Sequence, residues 1–311
     1  MKVAIIGRGF GAYAMQPAFE ARGWKTSLVP SRDKDAVDEA CAGDFDLIAV
    51  HSPPFQHRDH VLRAIAAGKD VLCDKPFGAN EEDARAMRDA AKDAGVLHFL
   101  NFEFRHQPAM VEARALIAAG EIGSLRHIST VAHAAYMAGR EHGWLSDAQL
   151  GGGWIGAWGS HMIDTARWLT GSEYTHASAI TRIDVPERPG PDGKPVRGTA
   201  EDAFVATMQL ADGTTVMLDA AFAVPVSLPV RTRLVGTRGM VEIVDQTRLT
   251  LLREGEEPDE RDFTPDGDRR VWPALTGWIE AIEGALASRT QIAPNFDDGV
   301  ATAEVMGRLK V

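Results

Sequence analysis

At 311 residues the chain is long enough for two domains with separate cores, and its 45% hydrophobic and 25% charged residues are the makeup of a globular protein. A net charge of −11 without any basic block excludes a nucleic-acid binder, whose affinity comes largely from Lys and Arg neutralising phosphates. No apolar run reaches the length of a bilayer span, and two cysteines, Cys41 and Cys73, do not make a disulfide scaffold, so the chain reads as cytoplasmic.

The first strand is expected at Val3–Ile6 and runs directly into Gly7-x-Gly9-x-x-Ala12, with an amphipathic helix from about Phe10 to Ala21. A dinucleotide needs this arrangement. Gly7 permits the tight turn, Gly9 has no Cβ to keep the backbone from the pyrophosphate, and small Ala12 lets helix and strand pack closely. N–H groups at the helix N-terminus face the phosphates. An ordinary strand–turn–helix corner has the same outline, but the preceding run of Val3, Ile5 and Ile6 favours the cofactor reading, with Gly7, Gly9, Phe10 and Gly11 as its contacts.

Further strands are expected at Thr26–Val29, Leu47–His51, Val71–Asp74 and Leu97–Phe102, and helices at Lys34–Cys41, His57–Ala67 and Glu81–Ala94. Short apolar runs alternating with helical patterns define a Rossmann-type, doubly wound parallel sheet over residues 1–122, with ligands gathering at the carboxyl ends of its strands. After Gly123 the pattern becomes long and alternating. Strands are expected at Leu125–Ala134, Tyr174–Val185, Ala203–Leu210, Thr215–Phe222, Val230–Val235, Met240–Val244 and Arg248–Leu252, with an Asp-Gly hairpin turn at Ala211–Thr214. One helix follows Gly159, and two more close the chain at Trp272–Ala287 and Asp297–Leu309. Residues 123–311 therefore read as an α+β domain on a large open, mainly antiparallel sheet, with the final helix able to pack back on the first domain. Pro186–Ala200 and the densely charged Glu254–Arg270 read as loops.

The end of the second strand decides the cofactor. An NAD site usually places Asp or Glu there for the ribose 2′-hydroxyl, whereas this chain has Ser31 and Arg32, with Arg8 in the glycine turn. Arg32 points to NADP. Asp33, one residue on, leaves NAD open. After the third strand, Ser52 offers a hydroxyl to the cofactor beside the rigid Pro53. His57 is either a ligand contact or a brace tied to that loop. Lys75 lies just past an apolar strand, where its ammonium can polarise a carbonyl or stabilise an alkoxide; a salt-bridged structural lysine is the competing reading. Asn101 follows the next strand and is a cofactor or substrate contact, with Arg105 a structural brace. His161 is a candidate acid/base, since an unperturbed histidine side chain titrates near neutrality, and Asp164 shares its helix face; a packed core histidine is the alternative. Trp144, Trp154 and Trp158 can wall a ring-shaped substrate or simply pack. No metal-ligand pattern is seen.

Three further segments, read with the glycine turn, carry a resemblance: Ser52-Pro-Pro-Phe-Gln-His57, Gly68-Lys-Asp-Val-Leu-Cys-Asp-Lys-Pro76 and Gly151-Gly-Gly-Trp-Ile-Gly-Ala-Trp-Gly-Ser-His-Met-Ile-Asp164. In order and spacing the chain resembles the glucose–fructose oxidoreductase/inositol dehydrogenase/rhizopine-catabolism family of NAD(P)-dependent dehydrogenases over nearly its whole length. The resemblance implies hydride transfer between a nicotinamide and a sugar, polyol or related carbonyl compound, and a homo-oligomer built through the C-terminal sheet. It implies that the Ser52–His57 segment lines the dinucleotide, that Lys75 is catalytic, and that His161 is the acid/base. Trp158, His161, Asp164, Lys75 and Tyr136 are the candidate substrate contacts.

Two departures stand out. The family motif is Glu-Lys-Pro, and here Asp74 supplies a shorter carboxylate to orient Lys75 or a cofactor amide. The family usually has Asp four residues before the histidine, where this chain has Ala157; Tyr136, His133 or Lys75 can take over that role. Two alternatives follow: a catalytically silent NAD(P)-binding regulator or sensor, for which Ala157 speaks, and a redox-assisted glycosidase of the same family.

Overall fold

The computed structural model describes residues 1–265 and 272–310. The chain folds into two compact units: Met1–His106 with the described part of Asp266–Glu304, and Gln107–Pro265 with the described part of Val305–Val311. This division differs from a cut at 122/123, because Pro108–Ala118 forms a helix of the second unit and the chain returns to the first unit near its end.

The first unit carries a five-stranded parallel sheet in the order β2-β1-β3-β4-β5, with β1 Lys2–Ile6, β2 Lys25–Val29, β3 Leu47–Val50, β4 Val71–Cys73 and β5 His98–Leu100. β3, β4 and β5 are buried along their whole length, which is why they read as continuous apolar runs without alternation. The helices are α1 Gln16–Ala21, α2 Lys34–Ala42, α3 Pro54–Ala66 and α4 Glu81–Ala94. Their ends have visible causes. Asp33 Oδ1 caps α2 at the Ala36 amide (3.1 Å), Asn80 Oδ1 caps α4 at the Asp83 amide (2.9 Å), and Gly95, left-handed at φ +65°, ends α4. A π-helical turn, Gly11–Met15, precedes α1, so the first helix is not the single regular α-helix expected from Phe10.

The core of this unit depends on a helix far away in sequence. α7, Pro273–Ser288 (with α5 Pro108–Ala118 and α6 Ser160–Thr170 lying between in the chain), packs Leu275, Trp278, Ile279 and Ile282 against Val3, Ile5, Phe19, Trp24, Leu72 and Phe99. Glu283 anchors it by accepting from Trp24 Nε1 at 2.5 Å and from Arg22 Nη2 at 2.6 Å. α8, Phe296–Leu309, follows.

The second unit holds an eight-stranded sheet, built on β6 Leu125–His133, β7 Tyr174–Arg182, β10 Ala203–Leu210, β11 Thr215–Ala221, β12 Arg231–Gly236, β13 Gly239–Val244 and β14 Arg248–Arg253. Its pairs are antiparallel except β6 with β11. Two expectations need correction. Pro186–Ala200 is not only a loop but contains a hairpin, β8 Glu187–Pro189 with β9 Pro195–Arg197. The charged Glu254–Arg270 segment contributes the eighth strand, β15 Asp259–Asp262, paired to β14; its residues 266–270 lie outside the described residues. All three strands are held by backbone bonds, β8 and β9 to each other and β15 at the edge of the large sheet, which needs no apolar pattern. Among the described residues no helix is long and apolar enough to cross a membrane.

Candidate active site

The carboxyl edge of the parallel sheet is built by register. Ile6, Val50, Cys73 and Leu100 are the last residues of β1, β3, β4 and β5 and pair across the sheet. The ladder continues one residue further, with the amides of His51, Asp74 and Asn101 donating to Ile6, Val50 and Cys73 carbonyls at 2.8 Å each. Gly7, His51, Asp74 and Asn101 therefore stand side by side, one residue past four apolar strands.

Gly7 has to be glycine. Its φ is +120°, and a Cβ there would lie 2.5 Å from the His51 carbonyl oxygen. Gly11 is the position of close helix–strand approach, since its Cβ would meet Ile5 Cγ2 at 2.8 Å and His51 Cβ at 3.3 Å. That role was expected of Ala12, which is only half-buried. Gly9 differs from both: its φ is outside the left-handed region and a Cβ would meet nothing within 4 Å. Neither backbone conformation nor protein packing asks for glycine there. A ligand backbone lying against this turn does, so the cradle fits a dinucleotide. Phe10, half-buried, sets its ring 5.5 Å from Tyr13 and 6.0 Å from His51 and Trp272.

Asp74 is the centre of the polar row. Its Oδ1 accepts from the Lys75 amide (3.0 Å) and from Asn101 Nδ2 (3.2 Å). Its Oδ2 lies 3.3 Å from His51 Nδ1, in ion-pair range but off hydrogen-bond alignment. Burial alone would raise the carboxyl's pKa; contact with His51, then the charge of Lys75, outweighs it and holds Asp74 ionised well below the usual range. Lys75 is half-buried and precedes Pro76 through a cis bond. His57, fully buried on α3, donates from Nε2 to the Ser52 carbonyl at 2.6 Å, and burial pushes its pKa down to about 4. Ser52 Oγ meets His60 Nδ1 at 2.9 Å, and Pro53 is the N-cap of α3. His57 thus braces the loop. On the β2 side, Ser31 is half-buried with its carbonyl accepting from Gln56 Nε2 (3.3 Å), Arg32 is exposed, and Asp33 is engaged as the α2 cap. His51 was not singled out from sequence; its signal is its place one residue past a fully apolar strand.

In the second unit the Gly151–Gly153 run has packing causes. A Cβ on Gly152 would collide with the Trp144 carbonyl oxygen, and Gly153, at φ +101°, leaves room for the Glu201 carboxylate. Glu201 Oε1 accepts from the Ile155 amide at 3.0 Å. A second π-helical turn, Ile155–Gly159, then leads into α6. His161 and Asp164 are buried on α6, with Asp164 Oδ1 3.9 Å from Arg167 Nη1. Trp154 stacks on Phe222 at 3.7 Å and Trp158 tilts against Phe204 and Phe222 at 6.4 and 5.6 Å, so both pack in an aromatic cluster. Tyr136, 54% exposed, meets Trp154 edge-on at 5.6 Å. Trp144 is half-buried. Also missed in the sequence is the buried pair of Arg188 and Asp202 (2.9 Å). Arg188 donates in addition to the Met137 and Arg140 carbonyls, fastening the turn that bears Tyr136.

Known proteins share this fold. The profile of the "Oxidoreductase family, NAD-binding Rossmann fold" matches residues 1–102, and that of the GFO/IDH/MocA C-terminal domain matches residues 110–242. The chain belongs to the GFO/IDH/MocA oxidoreductase family. It is similar to inositol 2-dehydrogenase 2 of Saccharopolyspora erythraea, 29% identical over 295 residues covering 92% of this chain and 80% of that protein. An uncharacterized oxidoreductase of Synechocystis sp. is 29% identical over 236 residues, 68% of this chain and 63% of the relative's length. Among solved structures, a levoglucosan dehydrogenase in complex with NADH shares the fold, with a TM-score of 0.83 at 21% identity over 100% of this chain and 96% of that one.

Proposed function

We propose that this protein is an NADP-dependent oxidoreductase that moves a hydride between the nicotinamide and a sugar, polyol or related carbonyl compound. The observation that carries the cofactor part is Gly9, which sits in the turn after β1 where neither backbone conformation nor packing asks for glycine and a pyrophosphate would. The substrate class is supported by the relatives, named inositol 2-dehydrogenase and levoglucosan dehydrogenase. Gly7, Gly9, Phe10 and Gly11 cradle the pyrophosphate, Ser52 and Pro53 line the dinucleotide with His57 behind them, and Asp74 and Asn101 hold its nicotinamide half. The bound nicotinamide supplies or accepts the hydride. Lys75 polarises the reacting oxygen, and His161 takes or returns its proton. Asp164, Trp158 and Tyr136 contact the substrate.

The preference for NADP rests on the β2 end. Asp33, the acid that could bind a ribose 2′-hydroxyl, caps α2, while Ser31 and exposed Arg32 are left for a 2′-phosphate. A charge-assisted hydrogen bond of about 1.5–3 kcal/mol corresponds to roughly ten- to hundredfold selectivity. Ile180 and Val205, paired across β7 and β10 and 80% and 45% exposed, support a homo-oligomer formed through the large sheet. Buried free Cys41 and Cys73 support a cytoplasmic location.

The test is a fluorescence titration with NADPH and NADH, followed by NADP(H) turnover against aldoses, ketoses, anhydrosugars and inositols. Tighter NADPH binding with substrate-dependent change in nicotinamide absorbance is expected. Tighter NADH binding overturns the NADP assignment. Tight binding without turnover on the whole panel overturns the oxidoreductase reading in favour of a cofactor-binding regulator.

A further inference from the structure

His51, Asp74 and Asn101 follow three adjacent strands at the same register level, and all three are buried. In parallel pairing such residues share a face, and their contacts confirm it: both neighbours reach the same carboxylate, one at each oxygen. Topology says which part of a dinucleotide meets this row. Strand order reverses at β1, whose neighbours are β2 and β3. The pyrophosphate sits at the turn after β1 and the adenosine ribose at the end of β2, so the nicotinamide half extends over β3, β4 and β5.

The carboxylate is costly to bury and is held by several partners. Oδ1 is occupied by the Lys75 amide and Asn101, and His51 Nδ1 faces Oδ2 at 3.3 Å. His51 is itself wedged: its Cβ stands where a side chain on Gly11 would reach, and its ring faces Phe10. The imidazole thereby links the glycine turn to the carboxylate that holds the backbone of Lys75.

We infer that His51 is a positioning residue for the nicotinamide half of the cofactor, acting through Asp74 on Lys75 and Asn101. This rests on the reading of the glycine turn as a dinucleotide site with Lys75 at its nicotinamide end. The consequence is selective: His51 governs how tightly the nicotinamide half is held and leaves the adenosine half alone.

The experiment compares two ligands on the full chain, NADPH and 2′-phospho-ADP-ribose, which is the same molecule without nicotinamide. Equilibrium fluorescence gives the first Kd and competition the second. His51→Leu keeps bulk but loses the ring nitrogens; His51→Asn keeps an N–H near the Nδ1 position. With H51L, NADPH binding weakens about tenfold while 2′-phospho-ADP-ribose stays within about twofold, and H51N restores NADPH to within about threefold of wild type. Equal weakening of both ligands overturns the inference, because it marks a packing role under the glycine turn. No weakening of either overturns it too, as does failure of H51N to restore binding. If H51L does not fold, H51Q takes its place, its amide lying one bond further out, with weakening of NADPH alone still required. If the wild-type chain prefers the unphosphorylated cofactor, NADH and ADP-ribose form the pair. Wild-type protein that binds none of these ligands refutes the cofactor reading itself, a result distinct from an unselective H51L.

Discussion

Gly9→Ala separates a glycine kept for the fold from one kept for a ligand. A methyl group at position 9 meets no protein atom within 4 Å, and the backbone there is outside the left-handed region. In the free protein the change should be neutral or stabilising by about 0.4–1 kcal/mol, since alanine narrows the unfolded ensemble. On that scale the melting temperature moves up by about 0–4 °C. The methyl occupies the space the pyrophosphate would need, and loss of the close contacts there should weaken NADPH by at least about tenfold, roughly 1.4 kcal/mol. Gly7→Ala is the contrast. Its φ of +120° and the 2.5 Å approach to the His51 carbonyl predict a loss of stability of about 1–3 kcal/mol or more. Thermal unfolding without ligand, followed by NADPH titration of each folded variant, reads both quantities. A Gly9→Ala protein that melts lower than wild type, or binds NADPH equally well, refutes the reasoning.

Lys75→Met should lower kcat by at least about 100-fold on any substrate the wild type turns over, with NADPH Kd within about threefold; unchanged turnover removes Lys75 from the reaction. Stability should fall as pH drops from about 6.5 towards 4, because the unfolded His57 takes up a proton that the buried ring, with its pKa near 4, refuses. That contribution is on the order of 3 kcal/mol, and His106, also lowered to about 4 by burial, acts in the same direction. Asp74, whose folded pKa is depressed, adds a further loss only below the ordinary carboxylate range. Urea unfolding from pH 8 to 4.5 tests this, and a flat profile contradicts it. Arg188→Met should cost about 3–5 kcal/mol in urea by leaving Asp202 buried without its cation; a cost below about 1 kcal/mol contradicts the clasp.

The parallel sheet was legible because strands buried on both faces are written as unbroken apolar runs, and α4 because Asn80 and Gly95 mark its ends. The alternating strands of the second unit showed their half-exposed faces equally well, as in β10. β8, β9 and β15 were hidden because backbone bonding at an edge leaves proline and charge free to occupy the side chains. The helix Pro108–Ala118 buries Ala109, Met110, Ala113 and Leu116, a stripe half made of alanine and therefore faint. Of the candidate site, the places of Gly7, Ser52 and Lys75 just past β1, β3 and β4 were readable. The convergence of His51 with Asp74 was not, since it depends on the register of two strands 23 residues apart in the pairing of Val50 with Cys73. The exchange of roles between Ala12 and Gly11 has a similar origin: a π-helical turn shifts which side chain faces the sheet.

The first unit has consequences for synthesis on the ribosome. Its hydrophobic centre joins Val3, Ile5, Phe19 and Trp24 to Leu275, Trp278 and Ile282, residues translated some 250 codons later. At about 5–20 residues per second, the nucleotide-binding half emerges roughly ten seconds to a minute before the helix that seals it. During that interval the apolar residues that Trp278 covers in the folded unit lack that helix. The glycine turn after β1 is thus translated long before the helix that completes the core of its own unit.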